Sequence, residues 1–299
     1  MKLSLGPILY CWEKNRLHDF YDKLKNSAVD IVYLGETVCS KRQEFLLEDW
    51  LEIGKVLKKS GKEVVLTSLA LVDSPSKLQE VKNAVNNGLF NVEANDMAAV
   101  NLCYEAKLPF TAGHALNLYN AESLNIMLRN GMNRWCLPVE LSKQWLEEIK
   151  AQSLSFGTWH QFQKEILAFG YLPLSYSARC FTARHAGREK ANCEVICIKD
   201  IAGKGVISQD QERLFTMNGI QMQSGLCSNL INECASMKGL IDVIRLSPID
   251  DNEIFNVISQ YREAITNSAS YFPLKSEECD GYWFGNAGKE IVQEKQSLL

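Results

Sequence analysis

From Lys2 to Ala151 the chain repeats one pattern six times: a short apolar run, then a segment with helical spacing. The runs fall at Lys2–Leu9, Asp30–Gly35, Glu63–Leu69, Leu89–Glu93, Phe110–Ala115 and Arg134–Val139. The helical segments are Arg16–Asn26, Glu44–Ser60, Pro75–Asn87, Met97–Ala106, Ala121–Asn130 and Lys143–Ala151. Runs such as DIVYLG and EVVLTSL do not alternate apolar with polar, so both of their faces must be covered. That is the signature of a parallel sheet sheathed by helices. Six successive βα units favour a (β/α) TIM-like barrel. A dinucleotide-binding fold is the main competitor, but no G-x-G-x-x-G follows the first strand.

The rhythm breaks after residue 150. Ser153–Gly157 is the available seventh strand, Asp242–Leu246 (DVIRL) reads as a closing strand and Glu253–Thr266 as its helix. Helical spacing also returns at Asn229–Met237. Between them, Tyr171 to about Gln223 is rich in Gly, Cys and Arg. We read 1–299 as one barrel domain with a Cys-rich insertion at about 171–225, on the barrel mouth. The tail Gly281–Leu299 is polar, and its end is expected to be mobile.

Thirty-two basic against 36 acidic residues give a net charge of −4, which does not suit a surface that coats nucleic acid. No run approaches the roughly 18 apolar residues of a membrane span, and the N-terminus lacks a signal-peptide pattern. A cytoplasmic location follows as an expectation. Ten cysteines are then notable, because disulfides are disfavoured in a reducing compartment and clustered thiols point to metal or redox chemistry.

Cys180, Cys193 and Cys197 are spaced C-x12-C-x3-C in a loop-rich segment. Thiolates are soft ligands for zinc and iron–sulfur clusters. Spacing alone does not separate these two, and buried cysteines acting as small apolar residues are a third reading. Cys39, just past the second strand in Leu34–Cys39, is the natural fourth ligand. Cys103 and Cys136 fall on a helix and a strand and read as core, whereas Cys11, Cys227, Cys234 and Cys279 are undecided. His114 and His160 fall near expected strand C-termini, where barrels of this kind place their chemistry; His18 sits on an amphipathic helix. Glu36, Glu93, Asp96 and Glu140 gather at strand ends, with Asn95 and Asp96 also suited to capping the next helix. Glu36 stands out because it lies three residues from a candidate ligand. Arg179, Arg184 and Arg188 form a basic patch beside Cys180. The usual hydrolase and phosphate-loop signatures are absent from the sequence.

Tyr176-Ser177-Ala178-Arg179-Cys180 followed by Asn192-Cys193-x3-Cys197 resembles the Y-S-G-R-C … C-x3-C core of the collagenase-like peptidase U-type (U32-like) family. The stretch from Asn120 through Gly131-x2-Arg134 to Pro138-x-Glu140-Leu141-Ser142 resembles its barrel half, and the likeness covers most of the chain. Many relatives carry a cysteine soon after the histidine of an H-G-A-x-C motif. Here the matching His160-Gln161-Phe162-Gln163 has none, so a cluster needs its fourth ligand elsewhere, which strengthens Cys39. Within the family, the start KLSLGPILYCW, Leu34–Arg42 and Gly281-Tyr282-Trp283-Phe284-Gly285 resemble a branch that makes ubiquinone without O2.

That resemblance implies a [4Fe–4S] cluster on Cys39, Cys180, Cys193 and Cys197. It implies a heterodimer with the paralogue UbiU that hydroxylates prenylated ubiquinone precursors, with prephenate as oxygen donor. It also implies a UbiT-like lipid carrier and no peptide cleavage. In that setting Arg179 could hold a donor carboxylate through a bidentate contact, and His160 could move a proton. Two alternatives stay open: hydroxylation of an RNA base, as in other relatives, and a non-catalytic cluster-bearing scaffold.

Overall fold

The computed structural model describes residues 1–267 and 269–292, so the end of the polar tail expected to be mobile lies outside the described residues. The first half of the chain runs β1 (Lys2–Leu5), α1 (Lys14–Leu24), β2 (Ile31–Leu34), α2 (Leu47–Lys59), β3 (Glu63–Thr67), α3 (Pro75–Val85), β4 (Asn91–Ala94) and α4 (Met97–Glu105). It continues with β5 (Phe110–Ala112), α5 (Ala121–Arg129), β6 (Met132–Cys136) and α6 (Lys143–Ser155). Next come β7 (Gln163–Tyr176), α7 (Phe181–His185), β8 (Lys204–Ile207), β9 (Arg213–Asn218) and β10 (Gln221–Asn229). The chain ends on β11 (Val243–Leu246), α8 (Glu253–Thr266) and β12 (Glu278–Cys279).

Strands β1 to β6, the first half of β7, and β11 are all parallel neighbours. Strand β11 joins β1 through Leu3↔Ile244 and β7 through Ile244↔Ile166, which closes an eight-stranded α/β TIM-like barrel. The helices hold their places by simple spacing and caps. Leu17, Phe20, Tyr21 and Leu24 put one stripe of α1 against the sheet. The Asp96 carboxylate accepts from Ala98 N–H to start α4, and the Ser142 hydroxyl accepts from Trp145 N–H to start α6. No helix among the described residues is long and apolar enough to cross a membrane.

The barrel's interior is ionic where a small barrel is usually aliphatic. Glu165 on β7 accepts from Ser4 Oγ at 2.5 Å, Tyr33 OH at 2.5 Å and Arg245 Nε at 2.9 Å. Arg245 also donates through Nη1 to Glu93 at 2.6 Å and stacks 3.9 Å from the Tyr33 ring centre. Burial alone would raise the Glu165 carboxyl, but Arg245 and Arg134 hold it below its ordinary value.

Three sequence expectations change. Ser153–Gly157 is not a strand: α6 continues through Ser155, and Gly157 then turns at φ +70°. The seventh barrel strand is Gln163–Tyr176, at 14 residues far longer than its neighbours. Asn229–Met237 is not a regular helix but the end of β10, a short 3-10 turn at Ile231–Glu233 and further turns. The 171–225 segment lies between the last two barrel strands, but it does not start after the seventh strand. It begins inside β7, whose outer half leaves the barrel and pairs antiparallel with β10; β9 and β8 extend this ribbon.

Candidate functional site

Cys39, Cys180, Cys193 and Cys197 line one small void above the barrel. Three separate segments bring them there. Cys39 sits on the loop that leaves β2, where Glu36 Oε1 accepts from the N–H groups of Val38 and Cys39 at 2.7 and 2.9 Å. This local turn fixes the thiol's direction. Gly35 makes the turn possible: its φ of +125° and its approach to Thr67 O, 2.9 Å from where a Cβ would stand, exclude other residues.

Cys180 follows the outward half of β7 and opens α7, where its sulfur accepts from Ala183 N–H at 3.4 Å. The β9–β10 hairpin steadies this helix. Phe181 N–H donates to Gly219 O, and Gly219 N–H donates to Thr182 Oγ1. Cys193 and Cys197 are bent toward the void by left-handed backbone at Glu194 and Val195, each with φ +49°. A β-branched residue in that region is strained, by about 1–3 kcal/mol, and such strain gathers at functional sites. Lys41 Nζ ties the barrel loop to this segment through the carbonyls of Lys190 and Ala191.

Arg42 lies between the thiols and the barrel. Its side chain is buried, donating to Leu9 O at 2.6 Å and Asn218 Oδ1 at 2.7 Å, with Glu36 at 3.8 Å. Its Nε has no acceptor although it is buried on the rim of the void. Cys11, in the segment after β1, is buried next to Cys197 but does not line the void. Its S–H donates to Cys197, which with the Arg42 guanidinium holds the Cys197 thiol down at about 6. Burial pushes the Cys39 and Cys180 thiols up. Burial also lifts Glu36 to about 7, against Arg42 and the two N–H donors.

All ten cysteines are free. Among the described residues, no three His, Cys, Asp or Glu side chains are placed so as to hold one metal ion. A tetrahedral zinc site would need its sulfurs drawn to within about 4 Å of one another. The chemistry of the four thiols, the apolar void between them and the unsatisfied Arg42 donor fit a larger, anionic, sulfur-rich group.

The other sequence candidates separate. His160 is exposed on a 3-10 turn at Trp159–Gln161, just before β7. That is the N-terminal face of the barrel, opposite the thiols. The expectation that it ends a strand fails because α6 and its turn occupy the residues read as a strand. Arg179 is exposed, and only its backbone N–H is engaged, with Ser177 Oγ; its side chain is outside the thiol void. Arg188 pairs with Glu194 at 2.5 Å. Glu140 is exposed and accepts from Tyr119 OH, and Asp96 is a cap.

His114 is the histidine at the mouth. It is buried, and its Nε2 lies 3.0 Å from Tyr176 OH, which also accepts from Gln221 Nε2. Tyr176 packs in turn against the apolar cluster containing Cys180 and Cys193. His114, Tyr176 and Gln221 thus form a short polar chain that ends against the thiol cluster. Sequence reasoning gave no role to Cys11, Arg42 or Tyr176. The usable signal for Cys11 and Arg42 was position, since each follows an early barrel strand within a few residues.

Solved structures with a related arrangement include the U32 peptidase Mk0906, 14% identical over 83% of this chain and 93% of that one, at TM-score 0.45. The maltogenic α-amylase AmyB from Thermotoga neapolitana is 9% identical over 89% of this chain and 77% of that one, at TM-score 0.39. The family description that matches the sequence, Peptidase family U32, spans residues 16–271, from α1 past the end of α8. That span takes in seven of the eight barrel strands, the ribbon and all four thiols around the void, and by it the chain belongs to peptidase family U32.

Proposed function

We propose that this chain is the iron–sulfur subunit of an O2-independent hydroxylase, with a role like that of UbiV in ubiquinone synthesis. In this reading it works in the cytoplasm beside UbiU on a prenylated precursor carried by a UbiT-like protein, with prephenate as oxygen donor. The observation that carries the reading is the convergence of Cys39, Cys180, Cys193 and Cys197, from three distant segments, on one void at the mouth of the barrel. Strained backbone at Glu194 and Val195 and the unsatisfied Arg42 Nε support a bound group there.

In this assignment the four cysteines hold a [4Fe–4S] cluster, which supplies one-electron chemistry when bound. Arg42 offsets its negative charge and offers Nε to a sulfur. Glu36 keeps Cys39 in place through two backbone N–H groups. His114 and Tyr176 replace His160 and Arg179 as the polar pair beside the site. A peptidase reading gains nothing from the histidines. The His114 ring bonds a tyrosine, and no imidazole among the described residues bonds a cysteine or serine side chain.

The test is anaerobic purification with iron and sulfide analysis of wild type and Cys180→Ala. About four irons per chain and a broad band near ~400 nm are expected in the wild type and lost in the variant. Addition of the paralogue, carrier, precursor and prephenate should then give ring hydroxylation. A colourless wild type containing zinc, or no metal, overturns the cluster. A complex that hydroxylates equally well without this chain overturns its part in the reaction.

A further inference from the structure

A second cleft opens on the other side of the Cys39 loop, over the C-terminal ends of β2 and β3 and between α2 and α3. Its cavity volume is about 220 Å³. Phe45 and Trp50 form one wall, Val81 and Ala84 the other, and Leu66 the floor. The Phe45 and Trp50 rings meet edge to face at 4.8 Å, which gives that wall a fixed shape. Leu46, 56% exposed, stands at the rim.

The inner end of this apolar cleft is polar. Glu36 accepts both its backbone N–H bonds, and approaches Arg42, through Oε1 alone. Its Oε2 accepts no hydrogen bond among the described residues. In the same lining, buried Ser68 accepts Asn95 N–H at 3.0 Å and donates no hydrogen bond among the described residues. The cleft therefore offers an acceptor and a donor beside aromatic and aliphatic surface, with Ser40, Arg42, Gln43, Glu80 and Asn83 also in its lining. Pockets of this composition select an apolar body with one correctly placed polar group. A hydroxyl on an aromatic ring matches both partners at once, donating to Glu36 and accepting from Ser68.

We propose that this cleft is a binding site for a phenol bearing an apolar chain. Glu36 then sits between two sites, touching the ligand through one oxygen and orienting Cys39 through the other. A ligand in the cleft would thus stand one carboxylate away from the thiol loop. That the natural occupant is the ring of a prenylated precursor rests on the hydroxylase reading. Binding of a phenol does not.

Isothermal titration of the full chain, metal-free and metal-loaded, with 4-heptylphenol and 4-heptylanisole tests the site. One saturable site for the phenol is expected, with the anisole about tenfold weaker because it cannot donate to Glu36. Ala84→Trp fills the cleft from α3, and Asn83→Trp does so from its exposed rim. Both should abolish binding while the circular dichroism spectrum and thermal midpoint stay at wild-type values. No saturable binding, equal affinity for phenol and anisole, or unchanged binding in both folded tryptophan variants overturns the proposal. Phenol binding without any hydroxylation by the assembled complex keeps the site and removes the hydroxylase reading. Hydroxylation by a complex whose subunit of this sequence binds no phenol does the reverse.

Discussion

The centre of the barrel and its mouth treat buried polar groups in opposite ways. In the centre, Glu165 accepts from Ser4, Tyr33 and Arg245, and Glu93 accepts from Arg245, Thr67 and Asn95. The centre leaves over one donor, Arg245 Nη2. At the mouth, Arg42 Nε and His114 Nδ1 are buried without partners, and two consecutive non-glycine residues are left-handed. An unpaired buried group costs about 1–3 kcal/mol. The centre ties each of its carboxylates to several donors, whereas the mouth combines unpaired donors with backbone strain where a bound group can relieve it. The densely paired layer serves stability, and the strained layer serves binding.

The largest effect should come from breaking the paired layer. Arg245→Ala leaves Glu93 in the barrel without its guanidinium partner and Glu165 with Arg134 alone at 3.8 Å, and should cost about 3–5 kcal/mol in denaturant unfolding. Cys180→Ala in the metal-free chain removes one weak S···H–N contact and a small side chain. It should cost about 1 kcal/mol or less. If the two variants were equally destabilised without metal, the division between a structural centre and a binding mouth would fall.

The mouth also carries a pH signature. Burial pushes the His114 imidazole down to about 4, with Glu93 opposing and Arg245 assisting. At neutral pH the ring is therefore neutral in both the folded and unfolded chains. As pH falls below the unfolded value of about 6.5, the unfolded chain takes up a proton that the folded chain refuses until about 4. Stability should fall across that window, by up to about 3 kcal/mol from this group. His114→Gln keeps a partner for Tyr176 and removes the titration. The wild-type profile should therefore drop more steeply than the variant's between pH 6.5 and 4. Parallel profiles would mean that water reaches the ring.

The barrel was legible because strands covered on both faces leave continuous apolar runs, as in DIVYLG and EVVLTSL. The seventh strand was not, because its first turn of residues reads Gln163-Lys164-Glu165 and its middle carries Gly170 and Pro173. Glu165 looks like a surface residue until Arg245, 80 positions later, supplies its counter-charge. With the true strand hidden, its place went to the end of α6, and His160 moved to the wrong face of the barrel. The thiols were legible through C-x12-C-x3-C and through the position of Cys39 after β2. Arg42 and Tyr176 were not. Their roles come from tertiary contacts with Asn218 and His114, which no local pattern encodes.

Cys11 supplies the finest test of where the mouth's ligand set ends. It is a buried thiol within hydrogen-bonding reach of Cys197, so a metal could recruit it in place of one of the four cysteines lining the void. Its position argues against recruitment, because it does not line the void with the others. Cys11→Ala should therefore keep about four irons per chain after anaerobic loading, while Cys197→Ala should lose them. The Cys11 variant forfeits only an S–H donor to a neighbouring sulfur, so its absorption spectrum should shift slightly and its iron should leave a little faster under a chelator. Full loss of iron in Cys11→Ala, with retention in any one of the other four cysteine variants, would exchange the two residues and move the cluster down toward β1.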